Sequence, residues 1–370
     1  MADGQALPPF RPLPQKEPDI EMVRKPDGTI YLTPRQAPGD RPKTIPHCLD
    51  ERASEHPDRV WLKQRDPQTD EWRALTYGEG KKKVDSLAQA LLDMGAGPDA
   101  PVMILSGNSI ESALVILAAQ KIGAPAAPIS GQDGLRDDER DPDYDPDEVH
   151  DVLDWLPWNH ISGSNVNFNG ALWNGATFWI DGGKPTPQLF GETIRNIREV
   201  SPSSFGTAPI ALSMLADAME HDDDLLEAFF KNMRSIGYGG ATLSDDLYDR
   251  LQALAIKATG KRIPIITMYG ATETQGITVV HWVVDRVGLI GLPLPGMTLK
   301  LVPNGSKMEV RVKGPSVMSG YLNMPEKNAE TFDEEGYYKL GDAAIMVDEN
   351  DPNKGIIFDG RVGEDFKLST

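Results

Sequence analysis

Residues 235–274 read SIGYGGATLSDDLYDRLQALAIKATGKRIPIITMYGATET, and this stretch decides the fold. The apolar run 235–238 reads as a strand, 244–259 as a helix and 264–269 as a second strand. Strand, helix, strand at this spacing is the unit of a parallel sheet with helices on its faces. Upstream the alternation continues, with strands at 176–180 and 203–206 and helices at 187–200 and 209–220. Further back, 101–105, 109–122 and 124–129 repeat apolar run, helix and apolar run, a βαβ unit. Before that, 60–65 and 72–76 read as paired strands, 50–56 is helical in character, and 77–94 is a long amphipathic helix stopped by Gly95 and Gly97. Downstream of Gly288 the texture changes to short strands at 298–302, 308–313 and 355–359, with turns such as Asn304-Gly305, as in an antiparallel sheet or small barrel.

Composition narrows the classes. A chain of 370 residues can bury a large core, and its formal charge of −19 argues against a nucleic-acid binder, which needs clustered Lys and Arg. The single cysteine, Cys48, permits neither an intramolecular disulfide nor a Cys-based zinc site, and the six histidines form no i, i+4 pair. The beginning of the sequence has no apolar signal region, and the longest apolar stretch, 101–129, is broken by Asn108, Glu111, Gln120 and Lys121, so no membrane span is expected. A soluble cytoplasmic protein is the expectation. Residues 131–150 carry nine Asp and Glu against two Arg without periodicity, which reads as a solvated loop.

Four segments carry chemistry. Tyr269-Gly270-Ala271-Thr272-Glu273-Thr274 follows a strand, where open α/β sheets bind ligands; Gly270 permits close approach, Thr272 offers a hydroxyl and Glu273 a hard oxygen suited to Mg²⁺. Gly237-Tyr238-Gly239-Gly240-Ala241 also follows a strand and offers a flat shelf for a planar base. Asp342, after Gly341, is suited to a ribose diol, and Arg361, after Gly360, supplies a guanidinium that cannot deprotonate. In this order they compose a nucleotide site.

The ordered set resembles the adenylate-forming superfamily of acyl-CoA synthetases, luciferases and peptide-synthetase adenylation domains. Gly320-Tyr321-Leu322, Glu330-Thr331-Phe332 and 333–338 are similar to another of its motifs. The run 154–160, which reads DWLPWNH, with 165–169, 174–177, 181–185, 27–32 and 104–108, resembles feruloyl-CoA synthetases in particular. The resemblance implies an α/β fold like the N-terminal domain of an acyl-CoA synthetase, incomplete here, with parallel sheets flanked by helices and a small antiparallel β-subdomain. The expected division is an irregular arm at 1–44, an adenylating core at 45–287 with the acidic loop 131–150, a β-rich subdomain at 288–362 and a stub of the C-terminal domain at 363–370. It further implies that an aromatic, ferulate-like acid is activated with ATP and Mg²⁺ and passed to CoA. Gly239, Gly240 and Ala241 then border the adenine, Tyr269 and Gly270 lie beside it, Thr272 meets the α-phosphate and Asp342 and Arg361 hold the ribose. His160, Thr272 and Glu273 are the implied catalytic residues, with Glu273 on the metal. His160, Tyr238 and Gly270 are the implied substrate-pocket residues.

Two departures change the expected activity. The family's Gly/Ser/Thr-rich phosphate loop and its lysine belong between about 130 and 154, where this chain has the acidic run, and the chain stops where the swivelling C-terminal domain with the adenylation lysine would begin. One lost preorganised donor costs about 10²–10³ in rate, and several are lost together. Carboxylates in their place repel a triphosphate. Weak or absent ligase activity is therefore expected, with unpaired sheet edges and exposed apolar surface where internal strands are missing. A nucleotide- or acyl-binding module without catalysis, and a fragment without function, remain open as alternatives.

Overall fold

The computed structural model describes residues 7–12, 17–39, 44–127, 150–280, 282 and 287–363. The acidic run at 131–149 and residues 364–370 lie outside the described residues.

The expected irregular arm contains a hairpin. β1 (Ile20–Arg24) and β2 (Ile30–Pro34) pair antiparallel. Asp27 builds the turn by accepting the Thr29 N–H at 2.9 Å, and Gly28 takes φ 88, the left-handed region open to glycine. A proline- and charge-rich composition hid the period of two in Ile30-Tyr31-Leu32, whose Ile30 and Leu32 are buried.

Next come α1 (Ile45–Glu55), β3 (Val60–Arg65), β4 (Trp72–Thr76) and α2 (Tyr77–Asp93). Thr76 and Glu79 form a reciprocal cap at the start of α2, Glu79 N–H to Thr76 Oγ1 at 3.2 Å and Thr76 N–H to Glu79 Oε2 at 3.0 Å. Gly95 at φ 87 ends it. The expected βαβ unit follows as β5 (Val102–Met103), α3 (Ile110–Lys121) and β6 (Ala126–Ala127), with β5 and β6 parallel. These two strands stand apart from the large sheet.

The central stretch comprises β7 (Asp151–Asp154), a π-helix (Ser162–Phe168), α4 (Asn169–Trp173), β8 (Thr177–Ile180), α5 (Phe190–Val200), β9 (Ser204–Thr207), α6 (Pro209–Met219), α7 (Asp223–Lys231), β10 (Ser235–Tyr238), α8 (Asp245–Thr259), β11 (Ile265–Ala271) and β12 (Gln275–Val279). β13 (Leu289–Pro293), β14 (Thr298–Asn304), β15 (Lys307–Lys313), α9 (Pro325–Thr331), β16 (Tyr338–Met346) and β17 (Ile356–Arg361) complete the chain.

One sheet runs β1-β2-β14-β15-β16-β17-β13-β12-β11-β10-β9-β7-β8-β3-β4. Its β11-β10-β9-β7-β8-β3 stretch is parallel, as the alternation of strand and helix requires, and the rest is antiparallel. The antiparallel strands thus continue the same sheet through β12, β13 and β17. Leu153, Phe205 and Ile236 point to one face, where they pack with α5–α8. The other face carries Val152 and Phe178 toward α1–α4 and Trp158. Strand alternation therefore assigns each site residue to a face. No helix among the described residues is long and apolar enough to cross a membrane.

Candidate functional site

β9 and β10 end level, Thr207 opposite Tyr238, while β11 passes Tyr238 at Thr267 and runs on to Ala271. Gly239 leaves β10 there and donates its N–H to Thr207 O at 3.3 Å. A side chain at Gly240 would meet nothing within 4 Å, and one at Gly239 only Met268 O at 3.8 Å. Gly240 takes φ 78 and Ala241 is exposed, so 239–241 present an open backbone shelf at the end of the parallel sheet.

Beside the shelf, three expected residues interlock. The Tyr269 hydroxyl donates to Asp342 Oδ2 at 2.6 Å, and Arg361 Nε lies 3.5 Å from Asp342 Oδ1. Asp342 and Arg361 face each other across β16 and β17, where the register shifts after Asp342. Burial and the Asp342 carboxylate push the Tyr269 phenol far above its usual range, so it stays a donor. Its ring meets Phe358, centroids 6.2 Å apart. Asp342 Oδ1 is buried and accepts no hydrogen bond. Asp342 Oδ1 thus faces the Arg361 guanidinium without a hydrogen bond of its own.

Thr272 and Glu273 lie on the tight turn between β11 and β12, closed by Ala271 N–H to Thr274 Oγ1 at 2.9 Å. Thr272 is exposed. Glu273 Oε1 accepts the Tyr321 hydroxyl at 2.8 Å, and its carbonyl accepts the Met318 N–H at 2.8 Å. The carboxylate raises the Tyr321 phenol's pKa, so Tyr321 remains a donor too.

Gly270 is also required by its own hairpin, because a Cβ there would sit 1.8 Å from Gln275 O. One expectation is corrected. Tyr238 packs on the α5–α8 side, opposite the shelf, since it alternates in phase with Ile236. It therefore does not wall the pocket on the shelf side.

His160 is exposed, and its Nδ1 accepts the Ser162 N–H at 3.2 Å. Its carbonyl accepts the Ser164 N–H at 3.1 Å, which starts the π-helix. That helix reaches the Glu273 turn through a buried amide chain that sequence reasoning missed: Asn169 Nδ2 donates to Asn165 Oδ1 at 3.3 Å, and Asn165 Nδ2 donates to Gln275 Oε1. Gln275, two residues beyond Glu273, takes φ 59, an uncommon conformation for a side chain of its size. Asn165, Asn169, Tyr321 and Phe358 stood in recognisable motifs without a role of their own; Gln275 carried no local signal.

Among the described residues no cluster of three or more His, Cys, Asp or Glu could hold a metal. Mg²⁺ usually binds one or two carboxylates together with substrate phosphates, and the lone Glu273 suits that arrangement. Asp342 Oδ1, without a hydrogen bond, suits a ribose hydroxyl.

Comparison with known proteins places the chain in a family and among solved folds. The family described as AMP-binding enzyme matches residues 49–154 and 133–322, two segments that meet across the acidic run. The 2-succinylbenzoate–CoA ligase of Bacillus licheniformis is 29% identical over 205 residues, covering 52% of this chain and 38% of the relative. A 4-coumarate–CoA ligase-like protein of Arabidopsis thaliana is 28% identical over 153 residues, covering 38% and 25% respectively. The chain thus spans less than half the length of these relatives. Among solved structures, O-succinylbenzoate coenzyme A synthetase of Bacillus subtilis in complex with AMP superposes with TM-score 0.64 at 17% identity, covering 86% of this chain and 98% of that one. A long-chain-fatty-acid–CoA ligase of Archaeoglobus fulgidus gives TM-score 0.69 at 15% identity, covering 89% and 86%.

Proposed function

Because the chain belongs to the AMP-binding enzyme family, we propose that it holds the AMP half of an acyl-adenylate and descends from ligases that join an aromatic, ferulate-like acid to CoA. The observation that carries this reading is the Asp342 carboxylate, held by Tyr269 on Oδ2 and faced by Arg361 on an Oδ1 that lacks a hydrogen bond, beside the Gly239–Gly240 shelf. The acid class is supported by the run 154–160 and by relatives named for aromatic acids, 2-succinylbenzoate and 4-coumarate.

In the ligase reaction a carboxylate oxygen bonds to the α-phosphorus of ATP as the bond to pyrophosphate breaks. The CoA sulfur then bonds to the acyl carbon as AMP leaves and the thiol proton passes to solvent. ATP with Mg²⁺ supplies the electrophilic phosphorus and neutralises part of its charge. Asp342 orients the ribose, the glycine shelf seats the base, Thr272 meets the α-phosphate and Glu273, steadied by Tyr321, holds the cation. His160 lies beside the acyl carboxylate. These are positioning and electrostatic roles, the main sources of rate in phosphoryl-type transfers.

The acidic run replaces the cationic phosphate loop, so adenylation by this chain is weak and AMP retention is the property that persists. The same substitution favours the second reading, a binding module without catalysis.

Calorimetric titration with AMP tests the site. A saturable heat is expected, and Asp342→Ala should weaken it about 10–100-fold, the value of a hydrogen bond to a charged group. No saturable heat in the wild-type chain sinks the reading. Pyrophosphate release with ATP, Mg²⁺ and ferulate separates the ligase from the binding module.

A further inference from the structure

Three unusual features meet between β12 and α4. Gln275, the first residue of β12, takes φ 59, in the left-handed region that a side chain of its size rarely adopts. Its carbonyl turns toward Gly270, where a Cβ would stand 1.8 Å away, and accepts the Thr274 hydroxyl at 3.1 Å. The second feature is the π-helix, closed by the Asn169 N–H reaching back to the Ser164 carbonyl. The third is the amide chain that joins the two: Asn169 Nδ2 donates to Asn165 Oδ1 at 3.3 Å, and Asn165 Nδ2 donates to Gln275 Oε1. All three side chains are buried.

A left-handed residue other than glycine persists only where its surroundings hold it, and such strain gathers at functional turns. π-turns are rare and concentrate at functional sites as well. A buried amide chain fixes one register, because each amide offers a donor on one side and an acceptor on the other. Here the chain connects two segments that both bear on the proposed reaction. Gln275 stands two residues beyond Glu273, in the turn that Thr272 shares. The far side of that turn is held through the Thr274 carbonyl, which accepts Ser316 Oγ at 2.8 Å, and the Glu273 carbonyl, which accepts the Met318 N–H at 2.8 Å. Asn165 follows Ser164, whose N–H and hydroxyl both donate to the His160 carbonyl at 3.1 Å. The turn is thus anchored through its backbone on one side and through side-chain amides on the other.

We infer that Gln275, Asn165 and Asn169 are positioning residues: their amides lock the Thr272–Glu273 turn to the helix that starts at His160, so that a nucleotide ordering the turn orders the helix with it. The inference rests on the proposed nucleotide site and adds a coupling between its phosphate end and the His160 segment. The three residues act through the turn and the helix, not on the reacting atoms. Two segments that move as one bring reactants into register together, which is where positioning gains its rate.

Hydrogen–deuterium exchange of the full chain tests this, with AMP at about ten times the Kd that calorimetry gives for each protein. In the wild type AMP should slow exchange about tenfold in both 271–276 and 161–170. Gln275→Asn puts in a residue that tolerates the left-handed backbone and shortens the side chain by one methylene; the turn should still respond, while the helix slows by less than about twofold. The double variant Gln275→Asn, Asn165→Gln restores the summed length and should restore the helix response, which a merely structural role does not predict. Gln275→Gly, free of backbone strain, takes the place of Gln275→Asn if that variant does not fold. A wild-type helix indifferent to AMP while the turn responds, a helix response that survives in Gln275→Asn, or a double variant no better than the single one overturns the inference, and the AMP heat then keeps the nucleotide site. A wild-type chain without AMP heat removes the nucleotide site and this coupling with it.

Discussion

At the scale of single residues, Asp154 makes the molecule sensitive to pH. Burial, with the neighbouring Asp181 charge adding to it, pushes its carboxyl up to about 8, against the hydrogen bonds from the Leu156 and Trp155 N–H groups and the Asn167 amide. The folded chain therefore binds this proton more tightly than the unfolded chain, whose Asp titrates at about 3.9. Its contribution to stability is complete below about pH 4 and is lost as pH rises through about 8, with a slope of at most about 1.4 kcal/mol per pH unit. Asp154→Asn mimics the neutral acid. The variant should melt close to the wild type at about pH 4 and clearly above it at about pH 8.5; thermal unfolding at both values that moves the two proteins in parallel would contradict this. Sequence reading placed Asp154 in a motif and gave it no role. Its significance needs the register of β7 against β9, which no local pattern encodes.

At the scale of elements, the turn that feeds β16 shows how a motif mixes chemistry with support. Asp333 Oδ2 accepts Lys300 Nζ at 2.9 Å and Arg311 Nη1 at 3.2 Å, while Oδ1 accepts the N–H groups of Glu335 at 3.0 Å and Tyr337 at 2.9 Å. The Lys300 and Asp333 side chains are 9% and 1% exposed. Burial opposes ionisation of Asp333, but Lys300, the Tyr337 N–H and Arg311 outweigh it and hold the carboxyl below its usual range. Asp333 thus braces the entry to the strand that carries Asp342. Removing one partner of a buried pair strands the others, so Asp333→Ala should cost about 3–5 kcal/mol in denaturant unfolding. A loss below about 1 kcal/mol, the scale of an exposed pair, would show that the cluster is not structural. Residues 333–338 were legible as a motif, and the division between Asp333 as brace and Asp342 as ligand was not. The π-helix was missed for a different reason: Ser162-Gly163-Ser164-Asn165 has the composition of a loop, and its order comes from His160 and Gln275.

At the scale of the whole molecule, the parallel half was legible because apolar runs alternate with helices along the chain. The continuation of that sheet into the antiparallel half was not, because β13 meets β17 across more than sixty residues of sequence. The small β5-β6 pair has a physical consequence as well. Among the described residues β5 and β6 pair only with each other, and Met103 and Leu105 at their edge are 77% and 91% exposed. An edge with unpaired N–H and C=O groups and apolar side chains is a template for another chain, and lysines on such an edge block the pairing. The net charge of −19 opposes association over long range, yet it is screened beyond about 8 Å at physiological salt. Self-association should therefore grow with both protein and salt concentration. Dynamic light scattering should show a hydrodynamic radius that rises in the wild type and stays flat in a Met103→Lys, Leu105→Lys double variant. A wild-type radius constant across the same range would mean that this edge is covered in solution.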